Sequence, residues 1–215
     1  MVDLSEAAVA RLSPRELVAA LKRLSPDDPA LADVDMEMVA RRIDPRRLSR
    51  SEFADLLSAI DTLAAGGAKV DLSTMDAATF LRIIGKASGS QIEAATAVPA
   101  VRRRILDELF RRMADYFRPE RARDGRVVMQ FRVTGGSGPG GLDHYSVVIQ
   151  DRACTVSKNP SDDAKTTITT GPADLLRLAT GSASPAMMFL RGKVKVDGSL
   201  GFASGFMAMF EMPKI

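Results

Sequence analysis

Two periods of apolar residues divide the chain. Up to about Phe117 they recur every three or four positions, the spacing of helices with one buried stripe. Beyond Val127 they alternate or run in short β-branched blocks, the spacing of strands. Ser13-Pro14-Arg15-Glu16 reads as a capping box with proline at the first helical position, and Ser49 stands three residues ahead of Glu52 in the same arrangement. Leu17, Leu21 and Leu24 follow the first; Phe53, Leu56, Leu57 and Ile60 follow the second. A third segment, Met75–Ile84, has similar grammar. Aligned at Leu12-Ser13, Leu48-Ser49 and Met75-Asp76, the three share one apolar position (Leu17, Phe53, Phe80) and another four residues on (Leu21, Leu57, Ile84). Ile43-Asp44 and Val70-Asp71 precede the second and third copies. The starts lie 36 and 27 residues apart, which is irregular for a solenoid. The segments read either as related helical hairpins or as convergent helix grammar, with Gly66-Gly67 and Gly89 as breakers.

A long helix is predicted over 99–117. Val101, Ile105, Leu109, Phe110 and Met113 form its apolar face, and Arg104, Asp107, Glu108, Arg111 and Arg112 form a solvated one with i,i+4 pairs. Arg118-Pro119 ends it. Strands are predicted at Val127–Val133, Tyr145–Gln150, Ala153–Ser157 and Thr166–Thr169, with Gly135–Gly141 joining the first two. Two helix signals open at Gly171-Pro172 and Ser184-Pro185, then come a short strand at Lys193–Val196 and a last helix capped by Ser199. Consecutive strands imply antiparallel pairing, and helices segregated from strands imply an α+β fold. The expected organisation is a helical region over 1–97, for interaction or packing, followed by a sheet-and-helix domain over 98–215.

Composition narrows the chemistry. With 46% hydrophobic and 27% charged residues the chain builds a core and is not a disordered one. One cysteine, Cys154, excludes an internal disulfide framework and fits a reducing compartment, and one histidine, His144, excludes a multi-histidine metal site within one chain. The start has no basic segment before an apolar core, and no apolar run reaches the ~20 residues that span a bilayer. A cytoplasmic protein with no metal or cofactor is expected. The net charge of +3 is unevenly spread: residues 1–97 hold 12 Lys and Arg against 15 Asp and Glu, residues 98–126 hold 9 against 5, and residues 127–215 hold 9 against 7. The acidic balance of the helical region argues against DNA there. Asp27-Asp28, Asp33, Asp35 and Glu37 lack the central glycine and closing glutamate of a calcium loop. The Gly135–Gly141 run lacks the Gly-Lys-Ser/Thr ending of a phosphate loop.

The last helix is unusual. Leu200–Phe210 contains no charge and is apolar on both faces, so it is buried or covers something apolar. Five of the chain's 11 methionines, Met187, Met188, Met207, Met209 and Met212, lie late in the chain, and methionine adapts its shape to varied apolar partners. An ordinary core and the wall of an apolar cavity both fit.

Pro185-Ala186-Met187-Met188-Phe189-Leu190-Arg191-Gly192-Lys193-Val194-Lys195-Val196-Asp197-Gly198-Ser199 resembles the signature of the sterol carrier protein 2 (SCP-2) domain. That signature is an Ala/Met-rich helix ending in Phe, then Gly-Lys-aliphatic-Lys-aliphatic-x-Gly, then an apolar helix. Gly171-Pro172-Ala173-Asp174-Leu175-Leu176 resembles it too. The likeness covers roughly residues 98–215, and helical segments such as Ile105–Met113 look like those preceding SCP-2-like domains in some bacterial proteins. It implies a five-stranded sheet covered by helices, with an apolar tunnel for fatty acyl chains, acyl-CoA, sterols or other lipids. Carried over position by position, the lining is Leu109, Phe110 and Met113 from the long helix, Phe131, Val147 and Ile149 from the strands, Phe189, and Phe202, Phe206 and Met209 from the last helix.

The expected function is therefore non-enzymatic binding or transfer of a hydrophobic ligand. The alternatives are an enzyme or accessory subunit acting on a hydrophobic substrate, with Asp143-His144-Tyr145 as acid–base group, and a regulator working through its helical region. Expected partners are a lipid, a transient anionic membrane surface meeting Lys193 and Lys195, and a protein at residues 1–97, but no nucleic acid. Solvated charges guarding an edge strand are the plainer reading of the two lysines.

Overall fold

The computed structural model describes residues 6–31, 34–68 and 72–211. The upstream pair Val70-Asp71, together with Asp33 and Met212, lies outside these. The chain forms two compact units that divide between Glu108 and Leu109, within a helix rather than at the 97/98 position ahead of it.

The first unit is built of helices α1 (Glu6–Val9), α2 (Pro14–Leu21), α3 (Met36–Arg42), α4 (Arg50–Ala65), α5 (Ala77–Lys86) and α6 (Gly89–Thr96), and of the start of α7 (Pro99–Asp115). Three of them open on capping boxes: Ser13 with Glu16, Ser49 with Glu52, and Ser88 with Gln91. The third box corrects the sequence alignment, because the equivalent of Ser13 and Ser49 is Ser88 and not Asp76. The spacing becomes 36 and 39 residues. Leu17, Phe53 and Ile92 then occupy one buried position, and Leu21, Leu57 and Thr96 another. The hairpins α1–α2, α3–α4 and α5–α6 stack, first helices on first helices and second on second. Polar ties fix their register. Arg15 meets Glu52 at 3.2 Å and Lys22 meets Asp55 at 2.7 Å, so α2 and α4 run parallel. Glu37 accepts from the Asp76 amide at 2.9 Å, and Arg82 donates to the carbonyls of Ala40 and Ile43 at 2.8 and 3.2 Å, so α3 and α5 do too. Gln91 Nε2 donates to the carbonyls of Pro45 and Leu48 at 2.7 and 2.9 Å, tying the start of α6 to the start of α4. The core encloses an apolar void of about 20 Å³, bordered by Met36, Ile43, Leu56, Ile60, Phe80 and Ile105. That space suits one water-sized body and no ligand.

The second unit holds strands β1 (Arg126–Thr134), β2 (Leu142–Gln150), β3 (Ala153–Ser157), β4 (Thr166–Thr170) and β5 (Val194–Gly198), with helices α8 (Pro172–Ala179), α9 (Pro185–Leu190) and α10 (Leu200–Met207). The fold is α+β, as the sequence implies. The sheet order is β3-β2-β1-β4-β5. All neighbours pair antiparallel except β1 and β4, which run parallel. This corrects the expectation of uniformly antiparallel pairing. The free edge of β1 is filled by a strand that returns after β3, and only a parallel approach fits a chain that has crossed back along the sheet. Gly135–Gly141 joins β1 to β2 as a hairpin connection.

The solvated face expected on α7 also needs correction. Arg102, Glu108 and Arg112 are only 6, 6 and 3% exposed, alongside buried Val101, Ile105, Leu106, Leu109, Phe110 and Met113. The helix is buried around most of its circumference. Its exposed side narrows to positions such as Arg103, Arg111 and Asp115, of which the last two pair at 2.9 Å.

Candidate functional site

Alternation along the strands sorts side chains to the two faces of the sheet. On one face β1 presents Met129, Phe131 and Val133, β2 presents Tyr145, Val147 and Ile149, and β4 adds Ile168. All seven are buried. Phe131 lies directly opposite Tyr145 across the β1–β2 ladder. Phe110 of α7 completes this layer: its ring stacks on Tyr145 at 4.1 Å between centroids and meets Phe131 edge-on at 5.1 Å. Such ring pairs each add about 0.5–1.5 kcal/mol beyond area burial. The other face is mixed, with Gln130, Ser146 and Thr167 buried beside Val128. Gln130 Nε2 lies 3.1 Å from His144 Nδ1, and Ser146 Oγ donates to the Asn159 carbonyl at 2.7 Å.

A second aromatic series runs through the last helix. Phe202 lies 5.8 Å from Phe206, Phe206 5.4 Å from Phe210, and Phe210 5.7 Å from Phe117. Backbone bonds from Arg118 N to the Met209 carbonyl, 2.9 Å, and from Glu211 N to the Tyr116 carbonyl, 3.0 Å, fasten the end of this segment beside the end of α7. Arg118 and Arg121 both meet Glu211 there.

Of the residues expected to line a tunnel, Leu109, Phe110, Met113, Phe131, Val147, Ile149 and Phe206 are buried, and Phe202 and Met209 are half-buried. Phe110 and Phe131 are in contact, Val147 and Ile149 share their sheet face, and Phe202 and Phe206 are in contact. Phe189 stands apart: it is 41% exposed on α9, with Met187 at 46% and Leu190 at 75%. Tyr145, Met129, Phe117 and Phe210 belong to these layers and were not named by the carried-over lining. Their signal was strand alternation from Phe131 and helical spacing from Phe110 and Phe206.

The candidate acid–base group does not assemble. Asp143 and Tyr145 point to one face of β2 and His144 to the other. Burial pushes the Cys154 thiol up to about 11, so at neutral pH it carries its proton and is a poor nucleophile. Among the described residues no group of three or more metal-ligating side chains could hold an ion, and no helix is long and apolar enough to cross a membrane.

The Gly-Lys-Val-Lys-Val-x-Gly segment acquires a physical reason. Gly192 sits at φ +65° one residue past the cap of α9, where its amide donates to the Phe189 carbonyl and the Lys193 amide to the Met188 carbonyl. This is a Schellman closure, and it favours glycine. Gly198 sits at φ +110°, and a Cβ there would lie 2.6 Å from the Lys165 carbonyl oxygen. One glycine ends the helix, and the other lets β5 pass the start of β4.

Residues 106–211 match the model of the SCP-2 sterol transfer family. The C-terminal half of this chain is an SCP-2 domain. Over 77 residues the chain is 39% identical to Sterol carrier protein 2 of Bos taurus and 37% identical to that of Homo sapiens. The matched stretch is 35% of this chain and only 14% of each relative, so the chain spans a small part of the curated relatives it matches. Among solved structures it is similar to Sterol Carrier Protein 2 Like 2 of Aedes aegypti, at 16% identity and a TM-score of 0.39 over 49% of this chain and 95% of that one. It is also similar to the inverting sec-alkylsulfatase Pisa1 of a Pseudomonas species, at 11% identity and a TM-score of 0.43 over 96% of this chain and 34% of that one.

Proposed function

We propose that the sheet unit binds a hydrophobic molecule between its apolar sheet face and helices, and hands it on without converting it. A fatty acyl chain, an acyl-CoA, a sterol or another lipid fits this description. The observation that carries the reading is an SCP-2 domain whose central strand turns an uncharged layer, Met129, Phe131 and Val133, toward Phe110. Each methylene moved from water into such a layer gains about 0.8 kcal/mol, which favours long chains and discriminates weakly among them. Phe110 occupies the middle of the layer, so an arriving chain has to displace its ring from Tyr145. The separation of His144 from Asp143 and Tyr145, and the raised thiol of Cys154, favour carriage over catalysis.

The test is native mass spectrometry of freshly purified protein with identification of any extracted lipid, followed by titration with a fluorescent fatty acid. The chain has no tryptophan and two tyrosines, so Tyr145 emission gives a second readout of ligand against the stacked pair. Saturable uptake, weakened at least tenfold by Phe202→Glu on the half-buried ring of α10, is the expected result. An empty protein that takes up no fatty acid would refute the reading.

A further inference from the structure

The net negative charge of the first 97 residues hides a concentration of the opposite sign. Between α3 and α4 the chain reads Arg41-Arg42-Ile43-Asp44-Pro45-Arg46-Arg47-Leu48-Ser49-Arg50. All five arginines are exposed, while Ile43, Pro45 and Leu48 are buried and hold the segment to the core. Arg41 pairs with Glu37 at 2.9 Å. Arg42, Arg46, Arg47 and Arg50 meet no carboxylate within ion-pair distance among the described residues. The one acid in the segment, Asp44, accepts from the Arg46 amide and closes the turn.

The stacking of the hairpins sets where this segment lies. Because α2, α4 and α6 run parallel and begin side by side, the turns that lead into them share one edge of the unit. The first of these turns contributes exposed Arg11 and Arg15, and the third contributes the half-buried Lys86. The acids at this edge are engaged: Glu16 and Glu52 close their capping boxes, and Glu52 also holds Arg15. Asp27, Asp28, Asp35 and Asp76 lie in the turns at the other end of the hairpins. That other end mixes signs, with exposed Lys22, Arg23 and Arg103 beside these acids, whereas the edge at the starts of α2, α4 and α6 gathers arginines whose neighbouring acids are engaged.

We propose that this arginine edge docks the protein on an anionic lipid bilayer. The occupant is argued from charge and from what the edge lacks. Phosphodiester headgroups match guanidinium groups in charge and hydrogen bonding. The exposed residues of the three turns include no aromatic ring to stack on a base and no exposed amide to read one. A nucleic acid would thus be held by its phosphates alone. The inference rests on the proposed carriage of a lipid, since a carrier must meet the membrane that supplies or receives its cargo. Docking here is electrostatic and reversible, with no apolar side chain of the edge free to insert.

The experiment is co-sedimentation of the full chain with vesicles of phosphatidylcholine alone and of phosphatidylcholine mixed with phosphatidylglycerol, at low and high salt. The expected result is binding only to the mixed vesicles, lost as salt rises. Each arginine near the surface contributes roughly fivefold to partitioning, so the combined variant Arg42→Gln, Arg46→Gln, Arg47→Gln, Arg50→Gln should bind about a hundredfold or more weakly. These side chains are exposed, so the variant keeps its circular dichroism and its fatty-acid uptake. Arg191→Gln with Lys193→Gln, in the sheet unit, should leave vesicle binding within about twofold. The inference falls if wild type ignores the mixed vesicles, or if the quadruple variant binds them as wild type does. It also falls if the Arg191 and Lys193 variant is the one that loses binding, or if wild type binds a labelled DNA or RNA duplex through these arginines but not vesicles. Arginine-dependent docking by a protein that takes up no fatty acid would support the edge and refute carriage.

Discussion

The two units place their exposed chemistry differently. Among the described residues of the helical unit the one large hydrophobic side chain left clearly exposed is Val98, whereas the sheet unit exposes Met187, Phe189, Leu190, Leu200 and Met207. The helical unit spends its surface on charge and secures its repeats by polar ties to neighbouring backbone. The sheet unit buries rings against one sheet face and leaves apolar side chains at α9 and α10. Periodic stacking satisfies each hairpin with the next one, so the apolar stripe closes. A sheet of mixed direction is closed by elements far apart in sequence, and its last helices are apolar on more sides than the sheet can cover.

The sharpest way to test that contrast is to remove one buried ring from each unit. Phe53→Ala and Phe110→Ala should each cost about 3–5 kcal/mol in chemical denaturation. Only Phe110→Ala should alter fatty-acid uptake, raising it where the variant stays folded, because the vacated space lies on the proposed path of the chain. Equal effects of the two on uptake would erase the distinction between the units.

A smaller effect is expected at Gln91→Glu. The carboxylate can still accept from the Ser88 amide and close the capping box, but it cannot donate to Pro45 and Leu48. Leaving those buried carbonyls unpaired should destabilise the helical unit by about 1–3 kcal/mol. Hydrogen exchange should quicken in α4 and α6 and not in β1 and β2.

In the sheet unit the β2–β3 turn sets Asp151 and Arg152 at φ 51° and 60°, both left-handed without glycine. Arg152→Gly should stabilise by about 1 kcal/mol and raise the melting temperature of this unit.

The smallest effect concerns acid. Hydrogen bonds with Ser13 and with Ser49 hold Glu16 and Glu52 below the usual glutamate range. A carboxylate whose folded value is depressed lends stability that is fully present above its unfolded value and is lost as pH falls through the folded one. Helicity should therefore decline below about pH 4.5, and the pair Glu16→Gln, Glu52→Gln should flatten that decline in circular dichroism.

Much of this was legible because it is local. Ser13 and Ser49 announce their helices within four residues, and the strands follow from alternation. Ser88 was not legible, because Gly89 reads as a breaker and glutamine replaces the expected acid. The structure gives the reason for the amide: it must accept at its own cap and donate to the preceding hairpin, which no carboxylate does. The parallel pairing of β1 with β4 was hidden because nothing within either strand records which neighbour it meets. Phe189 resembles a lining residue in type and motif, yet lies at the surface, since a six-residue helix shows no period strong enough to fix its buried side. On the apolar sheet face the strand residues were readable from alternation, but the filling of that face by Phe110 depends on a distant helix.

The fastening of Arg118 to Met209 gives the chain an order of assembly. The ribosome releases the three hairpins first, and each can settle on its predecessor as it emerges. Strand β1 follows, yet its second neighbour is still to be made, and the segment that closes over Phe117 arrives about ninety residues after it. For that interval Phe117 stands without the Phe210 ring that it meets in the folded unit, although Phe110 is already at hand for the sheet face. Synthesis at ~5–20 residues per second makes the interval seconds long, so the end of α7 is completed well after the sheet has begun to form.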